Sequence, residues 1–430
     1  MVLYSVNKRS VLAAICVIFL SGLVLTPFAS ADWAMFHANA SHSGVGVGAP
    51  VLAPKVLWNY TAGGTVESSP AVVGGVVYIG SDDGNLYALQ ASNGQKIWNY
   101  TTGSYIESSP CIANGVVYIG SDDGNLYAIN ATTGQKIWNY STGNGNYILS
   151  CPTVVNGVVY VGSFIHKVGA VGDNPVDYFG YVYAFNATNG IQLWNYTTGG
   201  GVHSSAAFVD GVVYVGSEDN NVYAINATNG EKIWNYTTGN MVTSSPAVMN
   251  GIVYIGSDDG NVYALNATVG AKIWNYTTGY YVESSPAVVE GSIYVGSGDG
   301  NLYALNAANG AKLWNYSTGE GVESSPAVVG GVVYMGSGEF NDGNIYGINA
   351  TNGAVIWNYT QSGFVVSSPC LVNGVLYIGS YDDNTLLALV NSTTSTTNNQ
   401  TITIAASVVV VVIIAAAVIL TLRRKRRIRR

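Results

Sequence analysis

The sequence predicts an all-β protein, a closed ring of eight similar four-stranded units, and three observations carry that prediction. Trp58, Trp98, Trp138, Trp194, Trp234, Trp274, Trp314 and Trp357 recur at intervals of 40, 40, 56, 40, 40, 40 and 43 residues. A period near 40 residues is the span of one four-stranded propeller blade. Within a unit, SSPAVV, GVVYIGS, NLYALQA and KIWNYTT are each of strand length, rich in β-branched and aromatic residues, and parted by Gly-Gly, Asp-Asp-Gly and Asn-Gly turns. Composition agrees: 48% of the 430 residues are hydrophobic, only 9% are charged, and 53 are Gly. The expected fold is an eight-bladed β-propeller.

The elements follow in chain order. Residues 1–31 combine a basic start, the apolar run VLAAICVIFLSGLVL and the small residues Ala29-Ser30-Ala31, and read as a secretory signal peptide. A leader, 32–55, precedes the propeller at 56–390. Ser-Ser-Pro strands begin at Ser68, Ser108, Ser150, Ser204, Ser244, Ser284, Ser324 and Ser367, with Cys151 and Ala206 as substitutions, so eight units start, but the last lacks a Trp strand. The Trp strand VLWNY at 56–60 lacks the three strands that should precede it. Placing the orphan strand on the incomplete unit closes the circle and leaves no open gap in the ring. Residues 391–401, NSTTSTTNNQT, have too little apolar content to fold and read as a stalk. Residues 402–422 are 21 uncharged, mostly Val, Ile and Ala residues, enough for a transmembrane helix, and the tail 423–430, RRKRRIRR, marks the cytoplasmic side. The expected location is the cell membrane, single-pass, with the body outside.

Charge narrows the partners. Between the two apolar runs lie seven Lys and Arg against all 24 Asp and Glu, a balance of −17 that would repel phosphate backbones. No nucleic acid is expected; the membrane, through one C-terminal helix, and an unknown extracellular protein or glycan are.

At the end of each unit the pattern Ala128-x-Asn130-xxx-Gly134-xxx-Trp138 resembles the tryptophan-docking motif of quinoprotein alcohol dehydrogenases and their relatives with pyrroloquinoline-quinone-type repeats. The resemblance spans 56–390, and DWAMFHANASHSGVG at 32–46 is similar to the leader that often precedes such domains. It implies eight blades in which Trp58, Trp98, Trp138, Trp194, Trp234, Trp274, Trp314 and Trp357 dock between neighbours. In the family's enzymes it also implies an adjacent Cys-Cys disulfide over the quinone, a Trp beneath it, calcium ligands and a catalytic Asp. This chain departs from that set: Cys111, Cys151 and Cys370 are separated, and all nine Trp are used by the docking positions and by Trp33. Cys111 and Cys370 replace the Ala of SSPA and read as small buried residues, with a Cys111–Cys151 bridge left open. No catalytic residue and no cofactor is expected; pyrroloquinoline quinone and calcium are the two that stay open.

Candidate ligand-binding residues come from departures of the chain from its own template. The position before each Ser-Ser reads Glu67, Glu107, Leu149, His203, Thr243, Glu283, Glu323 and Val366, which places four carboxylates around one mouth of the axis. Carboxylate oxygens suit a calcium ion, an amine or a basic partner. All insertions fall on the same face: 141–152, 163–180, which carries His166 and Tyr178, and 337–344. Asp82, Asp122 and Asp258, in Asp-Asp-Gly, read as hairpin residues. His37 and His42 read as leader packing.

Each Trp is followed by Asn-Tyr-Thr or Asn-Tyr-Ser, so Asn59, Asn99, Asn139, Asn195, Asn235, Asn275, Asn315 and Asn358 are glycosylation acceptors. Dense sequons on an anchored exterior protein look archaeal. The expected function is a non-enzymatic, membrane-anchored, exterior binding or scaffold propeller with its partner on the face distal to the membrane. The alternatives are a quinone-dependent dehydrogenase with a degenerate site and, by resemblance to the propeller lipoprotein of outer-membrane assembly, an envelope-assembly factor, although no lipobox is present.

Overall fold

A computed structural model describes residues 32–143, 145–165, 179–338 and 342–392. The chain divides into two units, Met1–Val390 and Asn391–Arg430, and the propeller is the first. Every element of the described residues is a strand, and they assemble into eight antiparallel sheets. The expected signal peptide, most of the stalk, the apolar run 402–422 and the basic tail lie outside the described residues. No helix among the described residues is long and apolar enough to cross a membrane.

Blade 1 shows the plan. Its innermost strand is Ala71–Val73, followed by Val76–Gly80, Asn85–Gln90 and the outermost strand Lys96–Thr101, each paired antiparallel with its neighbour. The first turn is Gly74-Gly75, both with positive φ, the conformation glycine adopts at no steric cost. The two central strands bury Val77, Tyr78, Ile79, Leu86, Tyr87, Ala88 and Leu89, because both faces of a blade pack on neighbouring blades. Blade 3 adds a short strand, Asn146–Tyr147, which pairs with Phe164 and Ile165 at the end of its lengthened second strand.

The last sheet is built from both ends of the propeller. Pro54–Thr61 lies beside Thr385–Asn391, followed by Val375–Gly379 and Cys370–Val372. The innermost strands of blades 1 and 8 touch, so the circle is complete.

Three rings of hydrogen bonds fasten the blades. The Trp indole N–H donates to a backbone carbonyl at 2.7–3.0 Å, in seven units on the next blade, as Trp98 does to Ala131 and Trp234 to Ala267, and in the eighth, Trp357, on Val51 of the leader. A Tyr hydroxyl of the same blade, such as Tyr214, donates to that same carbonyl. The motif glycine is required twice over. Gly134 has a φ of 70°, and a Cβ there would lie 2.8 Å from the Trp98 ring. The second Ser of each Ser-Ser pair forms the innermost ring. The N–H of Ser69 donates to Ser109 Oγ, that of Ser109 to Cys151 Sγ, and so around until the N–H of Ser368 returns to Ser69 Oγ, at 2.9–3.3 Å. The first Ser of each pair accepts from a glycine N–H at the end of the second strand, as Ser68 does from Gly80.

The leader does more than precede the ring. Trp33 bridges Val72, and the carbonyls of Ala34, Ala40, Ser41, Ser43 and Gly44 accept the N–H groups of Ile112, Phe208, Val248, Val288 and Val328, the middle residues of innermost strands. Residues 32–46 therefore run through the axial channel itself. His37 and His42 are buried there, 2% and 0% exposed, which matches the expectation of leader packing.

Candidate functional site

The mouth of the channel opens at the start of the innermost strands. A pocket of about 280 Å³ is lined by Glu67, Glu107, Leu149, His203, Thr243, Glu283, Glu323 and Val366, the eight positions picked out by the repeat. No Lys or Arg is among them.

A second tier comes from the turn between strands two and three. The paired aspartates of these turns have different tasks. The second one builds the hairpin: Asp83 accepts from the N–H groups of Asn85 and Gly63 and from the Tyr87 hydroxyl. Burial would raise the pKa of Asp83, but those bonds outweigh it and hold the carboxyl below its usual range. The first one turns to the mouth. Asp82 lies close enough to Glu67 and Glu107 that one ligand oxygen from each falls within 4.8 Å of the others. Asp82 accepts a short bond from the Thr65 hydroxyl, whereas its Oδ1, like that of Asp122, is buried without a partner. The Asp-Asp-Gly segments at Asp82, Asp122 and Asp258 are hairpin turns, as the sequence led one to expect, and within them the side chains of Asp83, Asp123 and Asp259 make the turn-forming bonds. The repeat held a signal for this. The second position is Asp in six units, while the first varies through Asp82, Glu218, Gly298 and Tyr381.

Crowded like charges hold protons. Burial, then repulsion from Glu107, Asp82, Asp122 and Glu323, pushes Glu67 up to about 8. Burial, then Glu323 and Asp258, raises Glu283 to about 7, and burial followed by Glu107 and Asp82 brings Asp122 to about 7. Burial also raises Glu107, Asp82 and Asp258. The opposite wall is compensated. His203 Nε2 lies 3.2 Å from Glu218 Oε1 and holds that carboxyl below its usual range, and the Tyr281 hydroxyl donates to Glu323 at 2.8 Å.

Aromatic rings stand between the carboxylates. Tyr147, Phe164 and His203 form a three-ring stack with centroid separations of 4.9 and 4.6 Å. Across the mouth Phe364 stacks on Tyr381 at 4.2 Å. Of these rings only His203 was singled out from the sequence; Tyr147, Phe164, Phe364 and Tyr381 lie in segments that depart from the repeat. His166 and Tyr178 lie outside the described residues. The Asn of every Trp-Asn-Tyr sequon is exposed on an outermost strand, away from the mouth.

A family model described as outer membrane protein assembly factor BamB matches residues 53–171, 150–245 and 237–428. The chain belongs to this family. No curated protein matches the sequence. Among solved structures this family member resembles BamB from Moraxella catarrhalis, with a TM-score of 0.64 and 19% identity over 79% of this chain and 98% of that one. It also resembles a europium-containing methanol dehydrogenase (TM-score 0.71, 13% identity, 86% of this chain and 100% of that one). A quinohemoprotein alcohol dehydrogenase from Comamonas testosteroni is similar too, with a TM-score of 0.68 and 16% identity over 89% of this chain and 84% of that one. At these identities the likeness is one of fold.

The residues of this mouth do not fit pyrroloquinoline quinone. The quinone is a tricarboxylate, and the pocket meets it with four glutamates and no Lys or Arg. The docking Trp side chains are committed to the seams by their indole N–H groups, and Cys111, Cys151 and Cys370 are free thiols. Among the described residues no vicinal disulfide faces the pocket.

Proposed function

We propose that this chain is a membrane-anchored, exterior-facing binding propeller without catalytic activity, and that its mouth takes a cationic group from a protein or envelope partner. One observation carries the reading: Glu67, Asp82 and Glu107 converge in a pocket that supplies no Lys or Arg. A Lys or Arg side chain or a calcium ion would replace the bound protons and relieve the repulsion. The ring stacks beside the acids favour the same guests, since a cation is attracted to an aromatic face. The third strand of the last sheet, Thr385–Asn391, pairs Val390 with Val375 at its end away from the mouth. Calorimetry with calcium and with an oligolysine peptide tests the proposal. Binding of either, abolished by Glu67→Gln with Glu107→Gln, supports it; no heat from either ligand overturns it.

The family description favours a second reading within the same mechanism, an envelope-assembly factor that holds a client at this mouth. Crosslinking from the mouth in intact cells separates the two, because an assembly factor captures envelope proteins there. The dehydrogenase alternative has no support from the donor set of the pocket.

A further inference from the structure

We infer that the eight Trp-Asn-Tyr-Thr/Ser copies are N-glycosylation sites in fact as well as in pattern, and that the sugars cover a belt of exposed aliphatic side chains around the propeller. The inference rests on the exterior location proposed above.

On each outermost strand the residue two before the sequon Asn is Leu or Ile. Alternation along a strand puts Ile97, Asn99 and Thr101 on one face, and all three are exposed. The belt runs from Leu57 through Ile97, Leu193 and Leu313 to Ile356, each 38–51% exposed. An aliphatic residue in every blade, left in water on an unpaired sheet edge, invites edge-to-edge association. The same strand places an acceptor Asn one side chain away from each.

The repeat contains its own controls for a purely structural role of the sequon. In blades 1, 4 and 5 Asn and Thr share a clasp: Asn99 Nδ2 and Thr101 Oγ1 both donate to Asn85 Oδ1, at 2.9 and 2.7 Å, while in blades 2 and 6 the Asn alone and in blade 7 the Thr alone makes its half of it. If the clasp alone kept these residues, the sequon would lapse where the clasp partner is lost. In blade 3 Tyr181 stands opposite Thr197 in place of that Asn, and in blade 8 Thr385 takes the position. Neither side chain has an amide oxygen, yet Asn195-Tyr196-Thr197 and Asn59-Tyr60-Thr61 are intact. The neighbouring Asn-Ala-Thr sequence behaves in the opposite way. There Asn306 keeps its turn-forming bond from the Ala308 N–H although the hydroxyl residue is gone. That Asn serves a turn and its sequon drifts, whereas the Trp-Asn-Tyr sequon outlives its structural partner.

The chemistry is a glycosyl transfer from a lipid-phosphate-linked oligosaccharide. Asn Nδ2 bonds to the anomeric carbon, the carbon–oxygen bond to phosphate breaks, the lipid phosphate leaves, Nδ2 releases one proton, and no electrons are transferred. One N–H remains on Nδ2, so a clasp such as Asn99 to Asn85 survives attachment.

Glycopeptide mapping of the full-length protein, purified from the cells that make it, tests the inference. Sugar is expected on Asn59 and Asn195 as well as on clasped positions such as Asn235, and Asn195→Gln should remove one glycan's mass without lowering the melting temperature. Bare peptides at Asn59 and Asn195 overturn the inference. Deglycosylation should raise bis-ANS fluorescence; an unchanged signal overturns the covering role. Protease treatment of intact cells keeps the two proposals apart: an accessible body with bare Asn refutes glycosylation alone, while a protected body refutes the exterior location beneath it.

Discussion

The indole N–H of Trp357 donates to the carbonyl oxygen of Val51 at 2.7 Å, and the Tyr334 hydroxyl donates to the same oxygen. Every other docking Trp finds an Ala carbonyl in the third-to-fourth-strand hairpin of the next blade. Blade 8 has no such hairpin, because its outermost strand arrives from the other end of the propeller, and Val51 fills the vacancy. If the substitute is equal to the original, Trp357→Phe and Trp234→Phe should lose similar stability, about 1 kcal/mol for a hydrogen bond, and either Trp→Ala about 3–5 kcal/mol. Chemical denaturation measures both. A much smaller loss at Trp357 would show that the leader seam is weak.

Acidity acts on stability from two sides. Glu67, at about 8 in the folded state against 4.5 for a free carboxyl, favours the protonated fold. Its contribution is complete below pH 4.5 and is lost as pH rises to about 8. Glu67→Gln should therefore raise the melting temperature at pH 8 and flatten the decline between pH 4.5 and 8.

His42 has the opposite sign. Burial, then repulsion from His37, lowers it to about 3 from 6.5, so the fold favours neutral imidazole and loses stability as pH falls from 6.5 toward 3. His42→Asn, which tolerates the positive φ of 53° at this position, should soften the acid limb of the melting profile.

A cation entering the mouth must displace protons from Glu67 and Glu283. Calcium binding near pH 7 should release them, so its calorimetric enthalpy should vary with the ionisation enthalpy of the buffer, and affinity should rise from pH 6 to 9. Binding that takes place without proton release would place the ion elsewhere.

The serine ring has one sulfur member. Cys151 Sγ accepts from the Ser109 N–H at 3.3 Å, longer than the 2.9 Å between the Ser205 N–H and Ser245 Oγ. Cys151→Ser should be neutral or slightly stabilising in thermal melts. Cys111 is fully buried, with its thiol pushed up to about 12 by burial, so a thiol reagent should reach it only on unfolding.

The ring of eight was legible because the Trp period and the count of Ser-Ser starts are properties of the chain alone. So were the eight pocket positions, which the repeat aligns. The role of Val51 was not, since it looks nothing like the Ala-x-Asn hairpin it replaces and acts through a backbone oxygen. Asp82 and Asp83 are the same residue type, and only the variation of the first position across the repeat separates them before the turn fixes their directions. The Tyr147, Phe164 and His203 stack joins an inserted segment to two blades, and no spacing encodes such a contact.

Sharing the last sheet between distant parts of the chain also sets the order of events at the ribosome. Pro54–Thr61 is synthesised before any blade, and Thr385–Asn391, its pairing partner, comes after all the others. Throughout elongation the early strand has nowhere to lie, and each finished blade presents one unsatisfied flank. Completion is necessarily a late, single event, and a nascent polypeptide stalled short of residue 385 would be a target for chaperones rather than a smaller working version of the molecule.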